Sequence, residues 1–277
     1  SFIHYAQKED GAFRNFMSFD QQFLEHIGSD DSFGRTIWAL GYLISKNEIA
    51  IYHPIAKELF DKAFPHMEDC QSARAVAYQI LGLLHYLEKY PTDKKIQKQL
   101  DRSCQFLIEE YNAARDENWH WYEEIITYDN AILPLSILRA SRFLKHKELE
   151  KVGLESSSFL DQVIFRKGYF SSIGNRNWLN KDTICSDFGQ QPIEVSSTIM
   201  LYEELHHHAI AVNCKERILE TFSWFLGANL KGEVLFDYQN MACYDGLEEY
   251  GVNKNQGAES NLAFWLSYLD TANYIHP

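Results

Sequence analysis

The sequence predicts an all-α fold, an (α/α) toroid of helical hairpins with long loops at one end, on three observations. Apolar helical stretches alternate with amphipathic ones along the chain, each apolar stretch follows a polar and aromatic loop, and those loops lengthen toward the C-terminus. Helices that are apolar all round must be buried, so burying every second helix calls for an inner ring wrapped by an outer one. The hairpins begin at intervals of 40 to 65 residues, too irregular for a tandem solenoid of fixed period. One domain over residues 1–277 is expected.

Residues 6–31 are polar, aromatic and punctuated by glycine, which predicts loop with a short strand or turn near Phe13 to Phe19. Ser29, Asp30 and Asp31 supply capping oxygens for a first inner helix carrying Ile37, Leu40 and Ile44. An amphipathic helix follows from about Pro54 to Phe64. The second inner helix is expected over Ser72 to Leu87, stopped by Pro91, with the charged stretch after Lys94 as its outer partner. In the third unit Pro134 requires that the helix start near it or kink there. In the fourth, Pro192 suits the first helical position and Glu194 the first turn, while Gly227 closes the partner that begins at Cys214. The clearest copy of the unit is the last, CYDGLEEYGVNKNQGAESNLAFWLSYL from Cys243 to Leu269, where the loop runs straight into an apolar helix.

Composition sets bounds on function. With 45% hydrophobic residues in 277 the chain can bury a large core. Its net charge of -13 repels nucleic acid and anionic membrane, and no apolar run reaches the ~20 residues that span a bilayer. The five cysteines are odd in number, widely spaced and free of any C-x-x-C pair, which predicts free thiols in a reducing compartment, the cytoplasm. The opening SFIHYAQKEDGAF reads as mid-domain sequence, so the expectation is the C-terminal part of a longer natural protein. Walker, G-x-G-x-x-G and H-E-x-x-H motifs are absent, and neither metal nor cofactor is expected.

Three stretches, EDGAFRNFMSFDQQFLEHIGSDDSFGRTIWALG, YDNAILPLSILRA and the Cys243 to Leu269 segment, resemble a bacterial domain found fused behind, or encoded beside, glycosyltransferases. That domain belongs with the six-hairpin glycosidase-like toroids. The resemblance spans nearly the whole chain and implies a saccharide ligand and a glycosyltransferase domain as partner. The wider superfamily holds hydrolases, lyases, epimerases and phosphorylases, so the fold selects no reaction.

A toroid of this kind gathers side chains at its inner-helix N-termini. The residues expected there are Asp31 and Arg35, then Arg74, then Trp121, Glu123, Tyr128 and Asp129, then Gln190 and Glu194, and last Tyr244, Asp245, Asn255 and Glu259. Aromatics that stack on sugar rings, with carboxylates, amides and arginines for the hydroxyls, form a carbohydrate-shaped set. Glu123 or Asp129 with Asp245 or Glu259 is the expected acid/base pair of a glycoside hydrolase, which needs two carboxyl groups about 5–9.5 Å apart. Each has a structural reading beside it: Asp31 and Asp129 as helix caps, Glu194 as a dipole partner, Arg35 as an i,i+4 partner of Asp31. A non-catalytic glycan-binding domain is the alternative, and a sugar epimerase the third, since no histidine falls at an inner-helix start. Trp119 and Trp121 alternate around His120 in an extended segment, which directs His120 away from both rings. The His206-His207-His208 run cannot converge on one ion from consecutive helical positions and is read as a solvated helix end.

Overall fold

The computed structural model describes residues 2–208 and 213–275. It is mainly helical: α1 (Phe2–Ala6), α2 (Asp30–Ser45), α3 (His53–Ala63), α4 (Ala73–Lys89), α5 (Lys94–Ala114), α6 (Ile132–Leu144), α7 (Lys147–Ile164), α8 (Pro192–His207), α9 (Cys214–Ser223) and α10 (Ala258–Ile275). Three two-stranded antiparallel ribbons lie in the loops: β1 (Ile125–Ile126) with β2 (Leu179–Asn180), β3 (Phe236–Asp237) with β4 (Ala242–Cys243), and β5 (Gly246–Glu248) with β6 (Gly251–Asn253). Backbone packing groups the chain into two compact units, Ser1–Asn112 with Arg139–Glu150, and Ala113–Leu138 with Lys151–Pro277.

In the first unit, Ser29 caps α2 by accepting from Ser32 N at 3.2 Å, and Ser72 caps α4 by accepting from Ala75 N at 3.4 Å. The two helices lie together because glycine permits it. A Cβ on Gly41 would strike the backbone of Gly82, one on Gly82 the backbone of Ile37, and one on Gly34 the backbone of Ala75. Helix propensity favours alanine over glycine by about 1 kcal/mol, whereas overpacking a fixed contact costs about 1–3. Gly41→Ala is therefore expected to lower the thermal midpoint despite its better propensity, with Ala39→Ser on the exposed side of the same helix as an unperturbed control. A rise in the Gly41→Ala midpoint would show that α2 and α4 are farther apart than this.

The loop before α2 forms the expected turn, with isolated bridges Gln7 to Phe13 and Met17 to Phe23. The alternation of helices holds in part. α4 and α8 are buried on nearly every side, whereas α3 and α9 bury one face. Pro134 is the third residue of α6, in the first turn, where no intrahelical donor is required, so the helix starts there without a break. α10 departs from the all-round burial its sequence suggests. It buries Ser260, Ala263, Phe264, Ser267 and Thr271 and leaves Leu262, Leu266 and Leu269 exposed. One face packs against α8 and α9, and hydrophobicity around a helix does not tell which face finds a partner. No helix among the described residues is long and apolar enough to cross a membrane.

Candidate functional site

The inner-helix N-termini are held by carboxylates supplied from elsewhere in the same unit, and most of the acids singled out in the sequence take part. In the first unit, Asp30 Oδ2 accepts from Gln71 N at 2.8 Å and Ser72 N at 3.2 Å, while Asp31 Oδ1 accepts from Ser72 Oγ at 2.9 Å. These bonds fix the start of α4 to the start of α2. Arg35 lays its guanidinium over the Tyr78 ring at 5.1 Å, Trp38 stacks on the same ring at 5.9 Å, and Arg74 is 3% exposed.

The second unit repeats the device twice. Glu194, in the first turn of α8 and 3% exposed, accepts from Asp129 N at 2.5 Å, Asn130 N at 3.4 Å and Asn130 Nδ2 at 3.2 Å. Those are donors just ahead of α6 that no intrahelical carbonyl can satisfy. Asp245 does the same for α10: Oδ1 accepts from Gly257 N and from Ser260 Oγ, both at 2.7 Å, and Oδ2 accepts from Asn255 Nδ2. Partial burial would raise the Asp245 pKa, but the bonds from Ser260, Gly257 and Asn255 outweigh it and hold the carboxyl below its ordinary value.

Gln190 links these two clusters. It pairs with Leu247 of β5 through Leu247 N to Gln190 O at 2.9 Å. Its side chain is fully buried, donates to Ser171 Oγ at 3.1 Å and Asp187 O at 2.9 Å, and accepts from Trp224 Nε1 at 2.7 Å. All three polar positions of that amide are thus engaged within the fold.

Open chemistry lies around these struts. The β1–β2 register, Ile126 opposite Leu179, brings the residues beyond each strand end side by side, and the half-exposed rings of Tyr128 and Trp178 meet at 6.2 Å. Trp178 has φ 51° and the adjoining Asp129 φ 45°. The left-handed region costs side-chain-bearing residues about 1 kcal/mol or more and persists where surroundings over-determine it. Glu259 is exposed on the first turn of α10, and Tyr244 precedes Asp245 with a half-exposed ring. Partial burial and the neighbouring Asp237 hold the Tyr244 phenol above its ordinary pKa. Glu123 is half-buried, its carbonyl accepting from Trp119 Nε1 at 2.7 Å. Trp121 is fully buried and packs at 5.5 Å from Tyr122.

The second unit thus gathers Tyr128, Asp129 and Glu194 at one helix start and Tyr244, Asp245, Asn255 and Glu259 at another. Asp31, Arg35 and Arg74 share the first unit. Trp178 was missed, because its position depends on strand register and a left-handed backbone; the only sequence signal is a tryptophan set among polar residues in NRNWLN. In the His206-His207-His208 run, read as a solvated helix end, His206 and His207 are exposed, whereas the His208 side chain is 5% exposed with Nε2 3.4 Å from the buried Glu204. Among the described residues no group of three or more His, Cys, Asp or Glu is placed to hold a metal. Burial pushes the thiols of Cys70, Cys104 and Cys243 up to about 12, which leaves them protonated and poor nucleophiles.

No family model matches the sequence, and no curated protein matches it. Solved structures do share the fold. Cellobiose 2-epimerase from Bacillus thermoamylovorans B4167 superposes with a TM-score of 0.72 at 10% identity, over 99% of this chain and 80% of that one. A sugar epimerase from a ruminal bacterium gives 0.69 at 9%, over 99% and 80%. A D-mannose isomerase gives 0.64 at 13%, over 98% and 79%. The fold is the α/α toroid that the helix pattern predicts. None of the three is described as a glycosyltransferase.

Proposed function

We propose that this chain is a sugar epimerase or aldose–ketose isomerase acting next to the anomeric carbon of a mono- or disaccharide. The observation that carries this reading is the match of almost the entire chain to three sugar-isomerising enzymes. The chemistry is redox-neutral. A base takes the proton from C2 of the open-chain sugar, the electron pair forms an enediolate across C1 and C2, and a proton returns to C2 to give the epimer or to C1 to give the ketose. General acid–base groups contribute about 10²–10⁴-fold to such a step.

In this chain carboxylate and phenol stand where histidine is lacking at the inner-helix starts. Glu259 is the proposed base and Tyr244, kept protonated by its raised pKa, the proposed acid. Tyr128 and Trp178 form the platform for the apolar face of the ring. Asn255 and Glu123 are proposed hydroxyl contacts of the same unit. Isomerisation ranks above glycoside hydrolysis on those three matches, and the pKa direction of Asp245 removes that residue as a hydrolytic acid. Hydrolysis needs a carboxyl group whose pKa is raised so that it can give a proton, and Asp245 is held in the opposite direction.

Incubation with cellobiose, mannose and glucose in D2O tests the reading by NMR. Deuterium is expected at C2 of an epimerised product or at C1 of a ketose product, with kcat lowered about a hundredfold or more in Glu259→Gln. Trp178→Ala is expected to raise KM with a small change in kcat. Release of free monosaccharide from cellobiose without deuterium at C2 would establish a hydrolase, and saccharide binding with no turnover would establish an accessory binding domain.

A further inference from the structure

A cleft of about 590 Å³ lies between loop 117–120 and one face of α7 in the second unit, away from the helix starts described above. Ser158 and Gln162 lie one helical turn apart, with Phe159 beside them, and these three face Glu117, Asn118 and His120 on the loop. The volume falls within the ~300–1,000 Å³ of small-molecule sites.

The loop wall is built rather than draped. Asp116 Oδ1 accepts from Asn118 N at 2.9 Å and Trp119 N at 3.0 Å, and Asp116 is paired with Lys181 at 3.1 Å. Trp119 sits edge-on to Phe159 at 5.2 Å, and His120 does so at 6.3 Å. Lys181 is also committed to Glu124 at 3.0 Å, and no lysine or arginine lines the cleft. His120 Nδ1 is sealed from water and has no hydrogen-bond partner. A buried polar atom left unpaired costs about 1–3 kcal/mol and calls for an explanation. A rotation of the imidazole that offers this nitrogen to a ligand hydroxyl provides one.

The geometry points to a second, non-catalytic saccharide-binding site in this cleft. The half-exposed Phe159 ring meets the apolar face of a sugar, while His120, Asn118, Ser158 and Gln162 serve its hydroxyls and Glu117 accepts from them. With two carboxylates, Glu117 and Glu155, and no lysine or arginine in the wall, anionic ligands such as phosphates are repelled. The assignment follows from the cleft's own chemistry and holds whether or not the chain isomerises sugars. In a sugar-processing protein such a site holds a distal part of an oligosaccharide and raises its local concentration.

Saturation-transfer NMR with cellobiose, mannose and N-acetylglucosamine tests it on the full chain. Trp178→Ala is expected to leave a saccharide signal in place, whereas His120→Ala and Gln162→Ala each weaken that residual binding about tenfold, the size of one lost hydrogen bond of 1.4 kcal/mol. Gln162 is exposed, so its variant keeps the fold, which circular dichroism verifies. A signal abolished by Trp178→Ala and unmoved by the two cleft variants overturns the proposal. So does the absence of any signal in wild type, which leaves the proposed isomerase chemistry to its own turnover measurement.

Discussion

Replacing Glu194 by glutamine is expected to destabilise the protein by about 3 kcal/mol, a fall in thermal midpoint of roughly 6–12 °C. The charge is buried at 3% exposure and is met by Asp129 N, Asn130 N and Asn130 Nδ2, all of them donors. Glutamine keeps one acceptor oxygen and turns an NH2 group toward a donor, so at least one buried N–H loses its partner. The damage should be local before it is global. Amide hydrogen exchange at Asp129 and Asn130, whose N–H groups donate to Glu194, is expected to quicken first. Ser196→Ala, two residues along α8, removes only a bond to Ile193 O at 3.0 Å and serves as the control. A Glu194→Gln midpoint within about 1 °C of wild type would mean that α6 is held by something other than this carboxylate.

Much of the fold was legible because its signals are local. Ser29 caps α2 as its side chain implies, the helix expected from Ser72 starts one residue later with Ser72 as its cap, Pro192 opens α8, and Gly227 ends the helix after α9 with φ 100°. The roles of the acids were harder to read. Asp30 bonds to residues 41 and 42 positions away and Glu194 to residues 64 and 65 away, so these appear in sequence only as acids near helix starts. An acid that caps its own helix, one that caps a distant helix and one that waits for substrate carry the same letter. The alternation around His120 was likewise only half informative. Trp119 and Trp121 are both buried as a shared side implies, yet Phe159 lies within 6.4 Å of both rings and of His120, so the histidine stays in the same aromatic cluster.

Asp245→Asn separates anchoring from catalysis, the choice on which the reading of the last inner helix depends. As an anchor, the carboxylate receives three hydrogen bonds, and bonds to a charged group are worth about 1.5–3 kcal/mol each before neighbours compensate. Asparagine keeps one of the two oxygens, so a net loss of about 2 kcal/mol is expected at neutral pH. The pH dependence has a defined sign. Asp245 has a folded-state pKa below its unfolded value near 3.8. Its stabilisation is therefore complete above that value and is lost as pH falls through the folded pKa. The gap between wild type and Asp245→Asn should be constant from pH 7 down to about 5 and shrink below about 4. Taking the difference removes Asp187 and Asp237, whose pKa values are also lowered and which contribute equally to both proteins. Turnover supplies the second axis. If Asp245 only holds Gly257, Ser260 and Asn255 in place, activity per folded molecule at low temperature falls far less than in Glu259→Gln. A kcat loss of a hundredfold or more with an unchanged midpoint would instead put Asp245 at the reacting atoms.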